Sequence, residues 1–183
     1  MTNTLQRRDL LAWGGLTALG SATAAQADEP PSPKPPERVA LDASLGQMLD
    51  GKAVNLADFA GKPVVVFFWA SWCPHCRREL PEMERLQLAA KDRARVVAVN
   101  CEERAVFRKL NRQLSEASKM LHTYDPEERS GKAFSKPPSV PYTLVIRTDG
   151  TVAATQSGWG DDSLNYIVKH VDEAIVAAQP PRS

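Results

Sequence analysis

Val64-Val65-Val66-Phe67-Phe68-Trp69-Ala70-Ser71-Trp72-Cys73-Pro74-His75-Cys76-Arg77-Arg78-Glu79-Leu80-Pro81 is the stretch on which the reading of this chain turns. It opens as an unbroken apolar run of strand length, the pattern of a strand buried on both faces. It then changes to Cys-Pro-His-Cys and a charged, helix-forming segment. Proline suits the first turn of a helix, where its missing N–H has no partner to lose. The order predicts a strand, a sharp turn, and a helix with Cys73 at its N-terminus and Cys76 one turn inside. Unpaired N–H groups and the helix dipole at that end favour negative charge, so Cys73 is expected to be thiolate-prone. Two thiols so placed are suited to disulfide exchange. The same spacing also serves a stapling disulfide or half of a zinc site. A c-type haem site requires His directly after the second Cys, and Arg77 stands there.

A chain of 183 residues has room for one domain with a proper core and some extensions. Its 23 basic residues nearly balance 22 acidic ones, which leaves no electrostatic footprint for nucleic acid or an anionic membrane. Three cysteines are too few for a disulfide-built scaffold, so their chemistry matters more than their stapling.

Residues 1–27 read as a targeting segment. Gln6-Arg7-Arg8-Asp9-Leu10-Leu11 precedes a modestly apolar run from Ala12 to Ala25, and Ala25-Gln26-Ala27 offers small residues for cleavage. The paired arginines resemble a twin-arginine leader, with Gln6 and Leu10 departing from its usual pattern. The apolar run is short for a membrane span, and an uncleaved leader would act as an anchor. Residues 28–38 hold five prolines, a semi-rigid spacer of polyproline type. The globular part is expected over 39–178, followed by a disordered tail at 179–183.

Within that part, Leu45 to Leu56 predicts two short strands around an Asp50-Gly51 turn. Arg95 to Asn100 is another buried strand, and Glu103 to Ser118 carries Val106, Phe107, Leu110 and Leu114 at helical spacing. Strand, helix, strand implies a parallel pair with a right-handed crossover. Leu121–Tyr124 is a short strand and Glu127 to Phe134 a helical turn. The stretch from Pro137 to Ile146 leads into a strand, and Arg147-Thr148-Asp149-Gly150 turns it back into Thr151 to Gln156 as a hairpin. Asp161 or Asp162 is placed to cap a last helix with Leu164, Ile167, Val168, Val171 and Ile175 on one face.

The aromatic lead-in Phe68-Trp69-Ala70-Ser71-Trp72, the Cys-Pro-His-Cys that follows it and the later Pro81 resemble the TlpA/ResA-type branch of the thioredoxin superfamily, exported thiol:disulfide oxidoreductases. The resemblance covers about residues 39–178. It implies an α/β thioredoxin fold, a central mixed sheet flanked by helices, with extra N-terminal strands. Cys73 is then the nucleophile and Cys76 the resolving thiol, with Pro74 and His75 tuning the pair; an exposed, indifferent His75 is the alternative. Trp72 lies on the site's rim and Trp69 in the core. Pro141 matches the proline the fold keeps cis, against an ordinary strand-entry proline. Val140 before it offers backbone groups to an extended substrate. Phe67 occupies the position where thioredoxin itself buries an acid. The branch brings an acid from beyond the neighbouring strand, which points to Glu103 as proton acceptor for Cys76. Glu102 is the alternative in register, and a solvated helix-start glutamate the alternative in role. Cys101 reads first as a small buried hydrophobe, and otherwise as a third redox thiol or a metal ligand. Trp159 is placed in a loop near the last helix.

The function implied is reduction of protein disulfides outside the cytoplasm, with cytochrome c maturation as the commonest task of the branch. The expected partners are protein thiol and disulfide substrates and a membrane electron donor. No cofactor, metal or nucleic acid is called for, and the protein is expected to be a monomer in the periplasm. Pro74-His75 also resembles strongly oxidising members of the superfamily, which makes a disulfide oxidase or isomerase the alternative. A copper(I) chaperone using both thiols is the alternative from another class. An ionised acid near the pair, assigned here to Glu103, disfavours the thiolate and favours a reductant.

Overall fold

The computed structural model describes residues 35–114 and 118–179. The segment expected to be a leader, the expected spacer as far as residue 34 and residues 180–183 of the expected tail lie outside the described residues.

Seven strands form one mixed sheet: β1 (Ser44–Gln47), β2 (Ala53–Asn55), β3 (Val64–Trp69), β4 (Arg95–Asn100), β5 (Leu121–Tyr124), β6 (Tyr142–Ile146) and β7 (Val152–Ser157). Their order is β2-β1-β5-β4-β3-β6-β7. The apolar run lands at the centre as expected. β3 pairs in parallel with β4 on one side and antiparallel with β6 on the other, and all six of its residues are buried. Alternate side chains enter two cores. Val65, Phe67 and Trp69 meet α1 (Pro74–Ala90) and α4 (Ser163–Ala177). Val64, Val66 and Phe68 meet the N-terminal strands and Phe134, just beyond the short α3 (Arg129–Ala133). The fold is thioredoxin-like, with β1 and β2 as the extra strands.

The crossover helix α2 (Arg104–Leu114) buries Phe107, which stacks on Tyr124 of β5 at 5.1 Å between ring centres. On α1, Gln87 fixes the helix to its neighbour strand. Its amide donates to the carbonyls of Lys91 and Ala94, and its oxygen accepts from Val96 N–H at 2.7 Å. α4 places Ile167, Val171 and Ile175 in the core as the periodicity predicts. Neither aspartate caps that helix by its side chain. Asp162 is the N-cap residue without a side-chain bond, and it is Ser163 Oγ that accepts from Gly160 N–H at 2.8 Å.

The domain also starts earlier than composition suggests. Glu37 and Arg38, read as spacer, already clip onto the turn between β6 and β7. Val152 N–H donates to Glu37 O, Val39 N–H donates to Gly150 O at 2.9 Å, and Arg38 pairs with Asp149. The Arg38 side chain is mostly exposed, so backbone pairing carries this junction.

Gly46 in β1 has φ +83°, and a Cβ there would stand 2.6 Å from Tyr124 O. The conformation and the close approach of β5 both require glycine. Gly46→Ala is expected to lower the stability of the fold by about 2 kcal/mol or more, read as the midpoint of urea unfolding. An unchanged midpoint would mean that β1 is not held against β5 in solution.

Candidate functional site

The site forms where β3 ends and α1 begins. Cys73 is the N-cap residue of α1 and Pro74 its first helical residue. Cys76 N–H donates to Cys73 Sγ at 3.2 Å, so the start of the helix is aimed at that sulfur. Cys73 Sγ–H donates to Val140 O at 3.4 Å, and the Val140–Pro141 bond is cis. Cys73 is 3 % exposed and Cys76 fully buried, both as free thiols. The structure therefore brings Cys73, Cys76, Val140 and Pro141 together.

Trp72, with 69 % of its surface exposed, stands on the rim. Trp69 is buried, as expected. His75 is exposed, and its Nδ1 lies 3.0 Å from an Arg78 guanidinium nitrogen. A guanidinium has no acceptor, so Nδ1 receives the hydrogen bond and the ring proton sits on Nε2.

The acid is where the two placements diverge. Glu103 is exposed at the threshold of α2, and its backbone carbonyl accepts from Val106 and Phe107 N–H. The acid facing the pair is Glu79, one helical turn beyond Cys76 and fully buried. Its Oε1 accepts from Thr143 Oγ1 at 2.7 Å, and its Oε2 has no hydrogen-bond partner among the described residues. Thr143 is the register partner of Phe67 across β3 and β6. The strand position that could have held an acid is aromatic, and the helix supplies the carboxyl from above instead. Burial pushes the Glu79 carboxyl up to about 7 against the opposing Thr143 hydrogen bond. The Cys76 thiol is pushed up, first by burial and then by its hydrogen bond with Cys73, with the Glu79 charge adding to the effect. The sequence carried a signal for Glu79. Cys76, Glu79, Met83, Leu86 and Ala90 recur at helical spacing, and all are buried on α1.

Cys101 is half-buried, packs against the core cluster on the other side of the sheet, and has its thiol pushed up to about 12 chiefly by burial. No cluster of three or more metal-binding side chains exists among the described residues.

Beside the cis proline lies an open groove of about 740 Å³, walled by His75, Val140, Pro141, Trp159 and Tyr166. Trp159 thus has a place at the site that its flanking glycines did not disclose.

A model of the Redoxin family matches residues 35–173. The thioredoxin-like protein YneN of Bacillus subtilis is 49 % identical over 61 residues, 33 % of this chain and 35 % of that protein. ResA of Oceanobacillus iheyensis, a thiol-disulfide oxidoreductase, is 26 % identical over 122 residues, 62 % of this chain and 59 % of that protein. The matched region thus spans less than two thirds of either relative. A crystal structure from Chlorobium tepidum, assigned as thiol:disulfide interchange protein DsbE, superposes with a TM-score of 0.67 at 25 % identity, covering 79 % of this chain and 99 % of that one.

Proposed function

The chain belongs to the Redoxin family, and from that premise we propose that it is an exported thiol:disulfide oxidoreductase that reduces protein disulfides through Cys73 and Cys76. The observation that carries the reading is the pairing of a helix-capping Cys73, bonded to Val140 O, with a fully buried Cys76 near an acid.

Cys73, as thiolate, attacks one sulfur of the substrate disulfide. The S–S bond breaks, a mixed disulfide forms, and the other substrate sulfur leaves with the electron pair and takes up a proton. Cys76 then loses its proton to Glu79, directly or through one water, and attacks Cys73 Sγ. The second substrate thiolate leaves and is protonated. The substrate has gained two electrons and two protons, and the protein holds a disulfide. A carboxyl poised at about 7 suits this exchange, because it is partly ionised at neutral pH and can both take and return a proton. Val140 offers its backbone edge to an extended substrate strand, with Trp72 and the groove beside Pro141 as the neighbouring surface.

The same groups support this direction of electron flow. Cys76 is held as a thiol, and an acid rather than a cation lies close to it. The reduced pair gains little from a second ionisation, which favours giving electrons away. The acid in this reading is Glu79, not Glu103. Export rests on the leader at 1–27, and a task in cytochrome c maturation with a membrane donor on the resemblance to ResA-type proteins.

Equilibration in glutathione buffers tests the proposal. At the poise of the endoplasmic reticulum the pair is expected to be mostly disulfide, the mark of a couple below glutathione. In the reduced protein at pH 6, iodoacetamide is expected to label Cys73 and leave Cys76 intact. A pair found mostly as dithiol in that buffer would reverse the direction to oxidase. Equal labelling of both thiols would remove the assignment of roles.

A further inference from the structure

We infer that Glu102 is a positioning residue that fixes the loop Ser71–Trp72 and thereby sets Trp72 as the seat for a polypeptide substrate. The inference rests on the thiol-exchange reading above.

The last backbone rung between β3 and β4 is Cys101 N–H donating to Trp69 O at 3.0 Å, one step past the paired residues Trp69 and Asn100. Beyond it the two chains part, β3 toward Cys73 and β4 toward α2. In parallel strands the same phase recurs every second residue, so Ser71 and Glu102 are the next facing pair. There the side chain continues what the backbone has stopped doing. Ser71 N–H donates to Glu102 Oε2 at 2.6 Å and Ser71 Oγ–H donates to Oε1 at 2.8 Å. Asn100 Nδ2 donates to Oε2 at 3.1 Å, and Asn100 Oδ1 accepts from Glu102 N–H at 3.0 Å. Asn100 is fully buried, which anchors the bracket in the sheet.

The carboxylate is met by three neutral donors and by no ion pair among the described residues. Its work is therefore geometric. Ser71 is held at both its backbone and its side chain, and the next residue is Trp72, 69 % exposed and immediately before Cys73. A large apolar ring kept in water at a defined place next to a reacting sulfur is a contact surface. Cys73 itself keeps independent supports, its bonds with Cys76 N–H and Val140 O. Loosening the bracket should therefore weaken substrate seating and spare the sulfur chemistry.

The test uses the full chain, insulin as disulfide substrate and dithiothreitol as recharging reductant, with amide hydrogen exchange as a readout independent of activity. Glu102→Ala is expected to speed exchange at Ser71 N–H tenfold or more while the β3 interior stays protected. Its KM for insulin should rise about tenfold with kcat within twofold. Glu102→Gln is expected to stay within threefold of wild type on both counts, because the Ser71 hydroxyl can reverse and accept from the new amide. In a Trp72→Ala background, Glu102→Ala should add less than twofold, since both changes remove one contact.

Unchanged exchange at Ser71, a fall in kcat with KM preserved, full additivity with Trp72→Ala, or Glu102→Gln as damaging as Glu102→Ala would each overturn the inference. A wild type that does not reduce insulin would instead reject the thiol-exchange reading, and Ser71 exchange would still decide for or against the bracket.

Discussion

Cys76→Ser is expected to reduce turnover of protein disulfides by roughly a thousandfold or more while leaving the first attack by Cys73 nearly intact. The serine keeps the backbone N–H that donates to Cys73 Sγ, so the helix start is preserved around the nucleophile. What disappears is the only thiol positioned to expel the substrate. Cys101 cannot replace it, because it packs with the core on the opposite side of the sheet and its thiol is pushed up to about 12. Covalent adducts should therefore accumulate on Cys73 and appear as dithiothreitol-sensitive bands on non-reducing gels. Normal turnover by this variant, or adducts attached through Cys101, would remove Cys76 from the resolving role.

The second large effect belongs to Glu79. Glu79→Gln is expected to slow resolution of the mixed disulfide by about a hundredfold, the usual contribution of a positioned proton acceptor. The dependence of that step on an ionisation near pH 7 should vanish with it. Stability provides a separate readout, with a sign that burial dictates. The carboxyl is raised in the folded protein from its ordinary 4.5 to about 7. Its contribution is therefore fully present below pH 4.5 and is lost as pH climbs to 7 and beyond, when only the unfolded chain ionises freely. The loss amounts to about 3 kcal/mol. In Glu79→Gln the stability curve should be flatter over this window, seen as urea midpoints at pH 5 and pH 8. A variant that retains both the wild-type slope and the wild-type pH profile would show that Glu79 is only filling space.

Glu79 also shows where reading the chain alone reached its limit. The apolar run Val64 to Trp69 has one physical solution, a strand with both faces covered, and the structure has it. The Cys-Pro-His-Cys turn and the last helix are equally local signals. Arg77-Arg78-Glu79, by contrast, looks like a solvated run of charges, and composition argues for exactly solvation at each of the three. Only helical phase separates them: Glu79 falls in line with Cys76 and Met83, whereas the two arginines fall outside that line. Glu103 attracted the role through a pattern of neighbours after β4, but the last backbone rung beside that strand is at Cys101 and α2 leaves at Arg104. Of the two residues between, Glu102 is half-buried and Glu103 is left in solvent. Glu102, its alternative in register, is the one turned toward the active-site loop. The clip of Glu37 and Arg38 onto residues 150–152 joins positions more than a hundred apart in the chain, and no local pattern announces it.

That clip has a consequence for how the domain can be held. β6 starts at Tyr142, next to Pro141 and the thiols, and its hairpin with β7 turns at the far end of the sheet. The incoming chain is fastened there. α4 starts at the groove beside His75 and finishes next to the end of α1, around Ala90 and Ile175, so the outgoing chain departs from the same rear pole. Both handles are behind the working face. A bead or a fused protein joined directly at Glu37 or at Gln179 would therefore be held at the pole of the sheet opposite Cys73.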